Sequence, residues 1–116
     1  MEDMLRFLER RIAACRERAE ELEKDLRKDE AVFEKVRENV YDIFRTVLNV
    51  AEKQHGDDEE AIRSFVASRL RQIPSSWRQS LEAARQHGDT QKALMEEIKL
   101  SVIDDITAVF EQSRRE

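Results

Sequence analysis

The chain has 116 residues, 41% of them charged, and a formal net charge of -5 at pH 7. No apolar run approaches the ~18 residues that a membrane-spanning helix needs. Two glycines and one proline leave too little turn chemistry for an all-β or α/β fold. These limits predict a single all-α domain without a membrane segment.

Residues 1–50 carry the strongest pattern in the chain, an apolar series with alternating steps of three and four. Only Asp29 interrupts the series, and no glycine or proline occurs before Gly56. Its members are Leu5, Leu8, Ile12, Cys15, Ala19, Leu22, Leu26, Phe33, Val36, Val40, Ile43, Val47 and Val50. A repeat of about 3.5 residues over this length predicts one long helix in coiled-coil packing.

The apolar face becomes wider after Asp29, where Val32, Phe44 and Ala51 join the series. A narrow stripe suits contact with one helix, whereas a wide face suits burial against several. We therefore expect residues 1–26 to be the protruding, coiled-coil-like half of the long helix. Residues 27–116 would form the helical bundle domain. The pattern leaves open one alternative, in which the N-terminal half folds back on the bundle.

The long helix is expected to end at Gly56, because glycine readily takes the left-handed conformation that closes a helix. Asp57 can then cap a second helix, with Glu60 completing a capping box. Gly88 and Asp89 repeat the same chemistry before the last helix.

Pro74 lies between these two junctions and allows two topologies. Ile73 is biased away from the helical region because it precedes proline, and Ser76 with Gln79 can cap a new helix. If the path stays collinear, the protein is an antiparallel bundle of three long helices, with the second kinked or broken at Pro74. A reversal at Pro74 would instead give an up-down-up-down bundle of four helices.

The second half of the long helix is expected to form the core with the later helices. Each set of apolar residues in this core lies at helical spacing, as a buried helix face requires. The predicted contacts join Phe33, Val36, Val40, Ile43 and Val47 to Phe65, Val66, Leu70, Ile98, Val102 and Ile106.

Residue types used in catalysis are present, but not in a catalytic arrangement. Cys15 lies on the apolar series with no histidine near it, so we expect a small buried residue rather than a nucleophile. Glu52 and His55 have the Glu-x-x-His spacing of a di-iron bundle, but the second half of that motif is missing. We therefore predict no catalytic residue, no metal or cofactor site, no small-molecule substrate and no enzymatic activity.

Basic residues concentrate in the middle of the chain. Residues 61–88 contain five arginines and one glutamate, a net charge of +4, whereas residues 1–60 carry 12 basic and 18 acidic side chains. The middle segment can complement its acidic flanks, or it can bind a polyanion such as nucleic acid. The candidate polyanion contacts are Arg63, Arg69, Arg71 and Arg78.

These patterns favour a non-enzymatic interaction or scaffold protein. A seam on residues 1–26 that the later helices cannot cover would bind a second copy, giving a homodimer, or a partner helix. The seam residues are Leu5, Leu8, Ile12, Cys15, Leu22 and Leu26. A nucleic-acid-associated factor is the alternative function. A single cysteine and the lack of a signal-peptide pattern favour the cytoplasm.

Overall fold

Four α-helices make up the structure, a computed structural model that describes residues 1–113. The helices are α1 (Glu2–Lys24), α2 (Lys28–His55), α3 (Glu59–Gln86) and α4 (Thr90–Ser113). Turns of three residues connect them, so consecutive helices run antiparallel. The prediction of an all-α helical bundle is confirmed. Within the described range, no helix contains an apolar stretch long enough to cross a membrane.

The predicted single helix over residues 1–50 does not form, because the chain turns back at Leu26. Leu26 has a φ of 60°, in the left-handed region. Its N–H donates to the Glu23 carbonyl at 3.0 Å, and the Arg27 N–H donates to the Leu22 carbonyl at 2.8 Å. These two hydrogen bonds define a Schellman motif, which closes α1. Glycine is the usual residue at the left-handed position, so a leucine there gives no sequence signal for a turn.

α1 folds back along α2 instead of protruding. Its apolar side lies in the core of the same chain, where Met4 and Leu8 are fully buried. At the surface, Arg16 Nε lies 2.9 Å from Glu38 Oε2 and links the two helices. Residues 1–26 therefore belong to the bundle rather than extending from it, as in the alternative that the sequence left open.

The buried face of α2 is rotated from the predicted one. Tyr41, Phe44 and Leu48 are buried, whereas Ile43, which was expected in the core, is 37% exposed. α1 causes this difference because it covers a flank of α2 that a protruding segment would have left to solvent. Among the other predicted core residues, Val40, Val66, Leu70, Ile98, Val102 and Ile106 are buried, and Phe33, Val36, Val47 and Phe65 are half-buried.

α3 continues through Pro74 as one helix of 28 residues. Proline has no N–H, so the Leu70 carbonyl loses its helical donor there. The Ser75 and Ser76 hydroxyls donate to carbonyls of the preceding turn. The chain does not reverse at Pro74 and Ser76 caps no new helix, so the collinear path is correct. A bend of the helix axis at Pro74 stays a prediction.

Glycines with positive φ, 56° at Gly56 and 69° at Gly88, follow the ends of α2 and α3. Gly88 lies in a Schellman motif as predicted, whereas the ψ of -115° at Gly56 lies outside the left-handed helical region. Asp58, rather than Asp57, caps α3 by accepting a backbone N–H at 3.1 Å. Asp89 accepts a backbone N–H of the first turn of α4 at the same distance. Both turns thus combine a glycine with a capping aspartate.

Candidate functional site

The six seam residues proposed for dimer or partner contact lie mostly inside the bundle. Leu5 is half-buried, and Leu26 is 81% exposed in the turn after α1. The buried members are Leu8, Ile12, Cys15 and Leu22. Their packing partner in the folded chain is mainly α2 of the same molecule. A homodimer through this seam stays a prediction, and it requires α1 to leave its own bundle.

Cys15 is poorly placed for nucleophilic chemistry. Burial of its thiol, followed by the negative charge of Glu34, raises its pKa from 9.0 to about 11. The neutral thiol therefore dominates at physiological pH, and a thiol is a weak nucleophile. Among residues 1–113, no three histidine, cysteine or acidic side chains come together to hold a metal ion.

Arg63 connects α3 to the end of α4. Its guanidinium lies 4.7 Å from the centre of the Phe110 ring. It also donates to the Phe110 carbonyl at 3.1 Å and to Ser113 Oγ at 3.2 Å. Stacking and hydrogen bonding at one half-buried side chain indicate a role in packing.

The four candidate polyanion contacts do not form one patch. The Arg69 guanidinium lies 4.5 Å from the centre of the Phe65 ring, on a different side of α3 from Arg71 and Arg78. Arg71 and Arg78 are exposed and seven positions apart, so they share one face of the helix. A polyanion site at these arginines stays a prediction.

A polar cluster joins α1, α2 and α4. The Tyr41 hydroxyl donates to Asp105 Oδ2 at 2.6 Å, and Arg11 Nε lies 3.4 Å from the same oxygen. Burial and the Asp105 carboxylate both raise the pKa of Tyr41, so the phenol stays protonated and acts as a donor. The Phe7 ring packs edge-on against Tyr41 at 6.1 Å between ring centres. This cluster explains how α1 is fixed to two other helices.

A second open site is the α2–α4 groove, which lies between the N-terminal halves of those helices. It consists of two adjoining pockets of about 400 and 470 Å³, and Gln91 and Met95 line both. The other lining residues are Asp29, Val32, Phe33, Val36, Asp89, Thr90, Leu94, Glu96, Lys92 and Lys99. Val32 and Leu94 are 44% and 42% exposed, so both walls of the groove present apolar surface to solvent.

Glu96 gives this groove its chemical character. The residue is only 5% exposed, and its Oε1 accepts from Lys99 Nζ at 3.1 Å. Its Oε2 is buried and has no hydrogen-bond partner in the part of the chain that the structure describes. The Lys99 ammonium lies 5.6 Å from the centre of the Trp77 ring on α3. A buried carboxylate oxygen without a donor is costly, so a donor from a bound molecule would stabilise it.

A third pocket, of about 330 Å³, lies between α1 and the end of α4. Charged side chains such as Arg6 and Arg10 line much of it, and among residues 1–113 no buried polar atom without a partner lies in it. It therefore offers less for selective binding than the groove.

Sequence reasoning missed the groove for a physical reason. Leu94 and Met95 lie on the apolar face of the last helix, and periodicity assigns such residues to burial without saying what covers them. Glu96 stands next to Glu97 in a charged stretch, and nothing in that stretch distinguishes the buried carboxylate from the exposed one.

No protein-family model, no curated protein and no solved structure matches this chain. A function can therefore be inferred only from the chemistry of its own residues.

Proposed function

We propose that this chain is a non-enzymatic helical interaction protein whose α2–α4 groove binds one amphipathic helix of a partner protein. The observation that carries the proposal is Glu96 Oε2, a buried carboxylate oxygen without a donor beside an open, largely apolar groove. A partner helix with an apolar stripe and one cationic side chain would satisfy both features.

The shape of the groove supports a helical partner. α2 and α4 are in contact and run in the same direction, so the space between them is elongated. Val32 and Leu94 stand on opposite walls, each with much of its side chain open to solvent. A helix that places apolar side chains at i, i+4 and i+7 can contact both walls along this length. Each Å² of apolar surface that it buries contributes about 25 cal/mol.

The charge of the groove supports one lysine or arginine on the partner. Oε2 is closed to solvent in the free protein, so the Glu96 carboxylate would turn toward the groove on binding. The N–H of the cation would then donate a charge-assisted hydrogen bond to Oε2 while Lys99 keeps Oε1. Asp29 and Asp89 also line the groove and add negative potential. Lys92 and Lys99 offset part of this charge, which favours a single cation on an otherwise apolar face over a run of basic residues.

The rest of the chain fits a binding role better than a catalytic one. The raised pKa of Cys15 disfavours a reactive thiolate. Tyr41 and Asp105 bond to each other inside a helix contact rather than lining an open cleft. A lone buried cysteine is also suited to the reducing cytoplasm, which we assign as the compartment.

A pair of designed peptides tests the groove. Both would be amphipathic helices with the same leucine stripe, differing in one residue that faces Glu96. That residue is arginine in the first peptide and glutamate in the second. We expect the arginine peptide to bind the intact protein at least about tenfold more tightly in calorimetry, because a hydrogen bond to a charged group contributes about 1.5–3 kcal/mol.

Three variants locate the binding. Leu94→Glu should weaken binding of the arginine peptide, whereas Ile43→Glu, a matched change at an exposed apolar residue of α2 outside the groove, should not. Glu96→Gln should reduce the preference for arginine over glutamate. Equal affinity of the two peptides, or equal losses at Leu94 and Ile43, would contradict the proposal. Self-association through Leu94 without peptide binding would assign the groove to a second copy of the chain.

A further inference from the structure

We propose that two copies of this chain exchange α1, and that the turn from Asp25 to Arg27 is the hinge. In the exchanged dimer, α1 and α2 of each copy straighten into one long helix. The α1 of each copy then occupies the place of α1 on the other copy. This inference is independent of the α2–α4 groove and concerns a different surface.

The turn after α1 has the same hydrogen bonds as the turn after α3, but not the same residue at its centre. After α3, the Asp89 N–H donates to the Ala84 carbonyl at 2.8 Å and the Gly88 N–H to the Arg85 carbonyl at 3.3 Å. Gly88 takes the left-handed position at φ 69°, where Leu26 stands in the first turn at φ 60°. A left-handed conformation is strained for leucine and not for glycine. Straightening the helix at Leu26 removes this strain.

The first turn also lacks the cap that the other two turns have. Asp58 and Asp89 each accept a backbone N–H in the first turn of the following helix. Arg27 occupies the cap position before α2 and makes no such bond; its side chain pairs with Glu30 instead. The turn therefore has the hydrogen bonds of a helix end, but neither the glycine nor the side-chain cap that the other two turns have. Its residues Asp25, Leu26 and Arg27 can all continue a helix.

The apolar series supports the straightened form. Its alternating step of three and four is kept from Leu22 through Leu26 to Phe33, with Asp29 as the one polar position, although the chain reverses within this stretch. In a hairpin, α1 and α2 are separate helices, so the apolar repeat need not keep the same phase from one helix to the next. A continuous helix needs it, since only an unbroken repeat keeps one side facing a partner.

The surface of α1 can be transferred as a unit. α1 packs mainly on α2 and touches α4. Its N-terminal end reaches α3, where the Met1 ammonium lies 3.6 Å from Glu59 Oε1. Rotation about one hinge therefore removes α1, and a second copy can remake the same contacts. In such a dimer the two long helices are antiparallel, and their two-fold axis passes near the hinge. Leu26, now 81% exposed, would face Leu26 of the second copy there.

Refolding at high protein concentration tests the proposal, with light scattering to measure the mass. The natural chain should yield a dimer fraction that separates slowly after dilution, because exchange requires α1 to detach. Leu26→Gly should raise the dissociation constant of the dimer by at least about 10- to 100-fold, because both hinges lose their strain in the monomer. Leu26→Ala keeps the strain and the helix preference, and should still dimerise more than the glycine variant. A chain that stays monomeric at millimolar concentration, or equal effects of glycine and alanine, would overturn the proposal.

A cross-link distinguishes exchange from ordinary association. Lys35 Nζ and Glu23 Oε1 lie 2.5 Å apart across the contact between α1 and α2. In a Cys15→Ala background, Glu23→Cys with Lys35→Cys can be joined by a short bis-maleimide. The dimer fraction should then give covalently linked pairs of chains on a denaturing gel, and the monomer fraction single chains. Single chains from the dimer fraction would show that α1 still packs on α2 of its own chain, and would overturn the proposed exchange.

Discussion

Leu26 and Gly88 adopt the same backbone conformation, which costs more free energy for leucine than for glycine. Both stand at the left-handed position of a Schellman motif, at φ values of 60° and 69°. A left-handed residue with a side chain costs ~1–2 kcal/mol relative to the right-handed helix, and glycine avoids this cost. Leu26 gains little in return, since its side chain is mostly in solvent. The rest of α1 must therefore hold the strained turn in place.

Placing glycine at Leu26 and a residue with a side chain at Gly88 should change the stability of the protein in opposite directions. Leu26→Gly should increase the free energy of unfolding by about 1 kcal/mol, and Gly88→Val should decrease it by about 1 kcal/mol or more. A Cβ at Gly88 would meet nothing within 4 Å. The stability lost in Gly88→Val would therefore come from backbone strain rather than from a steric clash. Urea denaturation of dilute samples measures both. A destabilised Leu26→Gly would mean that this turn is not left-handed in solution.

These turns mark the limit of prediction at the scale of single residues. The turns at Gly56 and Gly88 could be predicted because glycine is the residue that takes a positive φ without strain. The turn at Leu26 could not, because its local sequence prefers helix and only the packing of α1 imposes the turn. Glu96 is a similar case, since its burial depends on the helices around it rather than on its neighbours in sequence.

α2 is the central helix, and its buried face depends on where α1 lies. It contacts all three other helices. The wide apolar face predicted for this segment is present. Which of its residues lie at the middle of the buried face could not be predicted without knowing that α1 folds back. Phe44 and Leu48 are fully buried, whereas Ile43 lies at the edge. Pro74 is the corresponding case on α3, where tertiary packing keeps a helix intact through a residue that weakens it.

Two alanine variants of adjacent residues test the orientation of α2. Phe44→Ala should lower the free energy of unfolding by ~3–5 kcal/mol, because it leaves a cavity at a fully buried position. Ile43→Ala should lower it by only ~1–2 kcal/mol, because 37% of the side chain already contacts water. Thermal or urea denaturation compares the two. Similar losses would return Ile43 to the core and place α2 in the orientation first expected from the heptad series.

The molecule as a whole has two ways to bury one apolar series. In the monomer, α1 and α2 form a hairpin inside a bundle that measures 45 × 35 × 23 Å. In the proposed dimer, the same residues bury the same surface across two copies, and the hinge at Leu26 decides between the two forms. Periodicity predicts that the seam must be covered, but not whether the cover comes from the same chain. This is why an all-α bundle could be predicted from the sequence and the path of its first helix could not.

The central claim is that α1 folds back on α2 within one chain, and a distance between two spin labels tests it most directly. Glu9 on α1 and Asn49 on α2 are exposed and suit labelling as Glu9→Cys and Asn49→Cys, with Cys15→Ala. Pulsed electron spin resonance on a dilute, monomeric sample should give a distance of ~20–35 Å, because the two helices pack side by side with axes ~10 Å apart. An uninterrupted helix would separate the labels by ~60 Å. A ~60 Å distance in the monomer would contradict the fold described for α1 and α2.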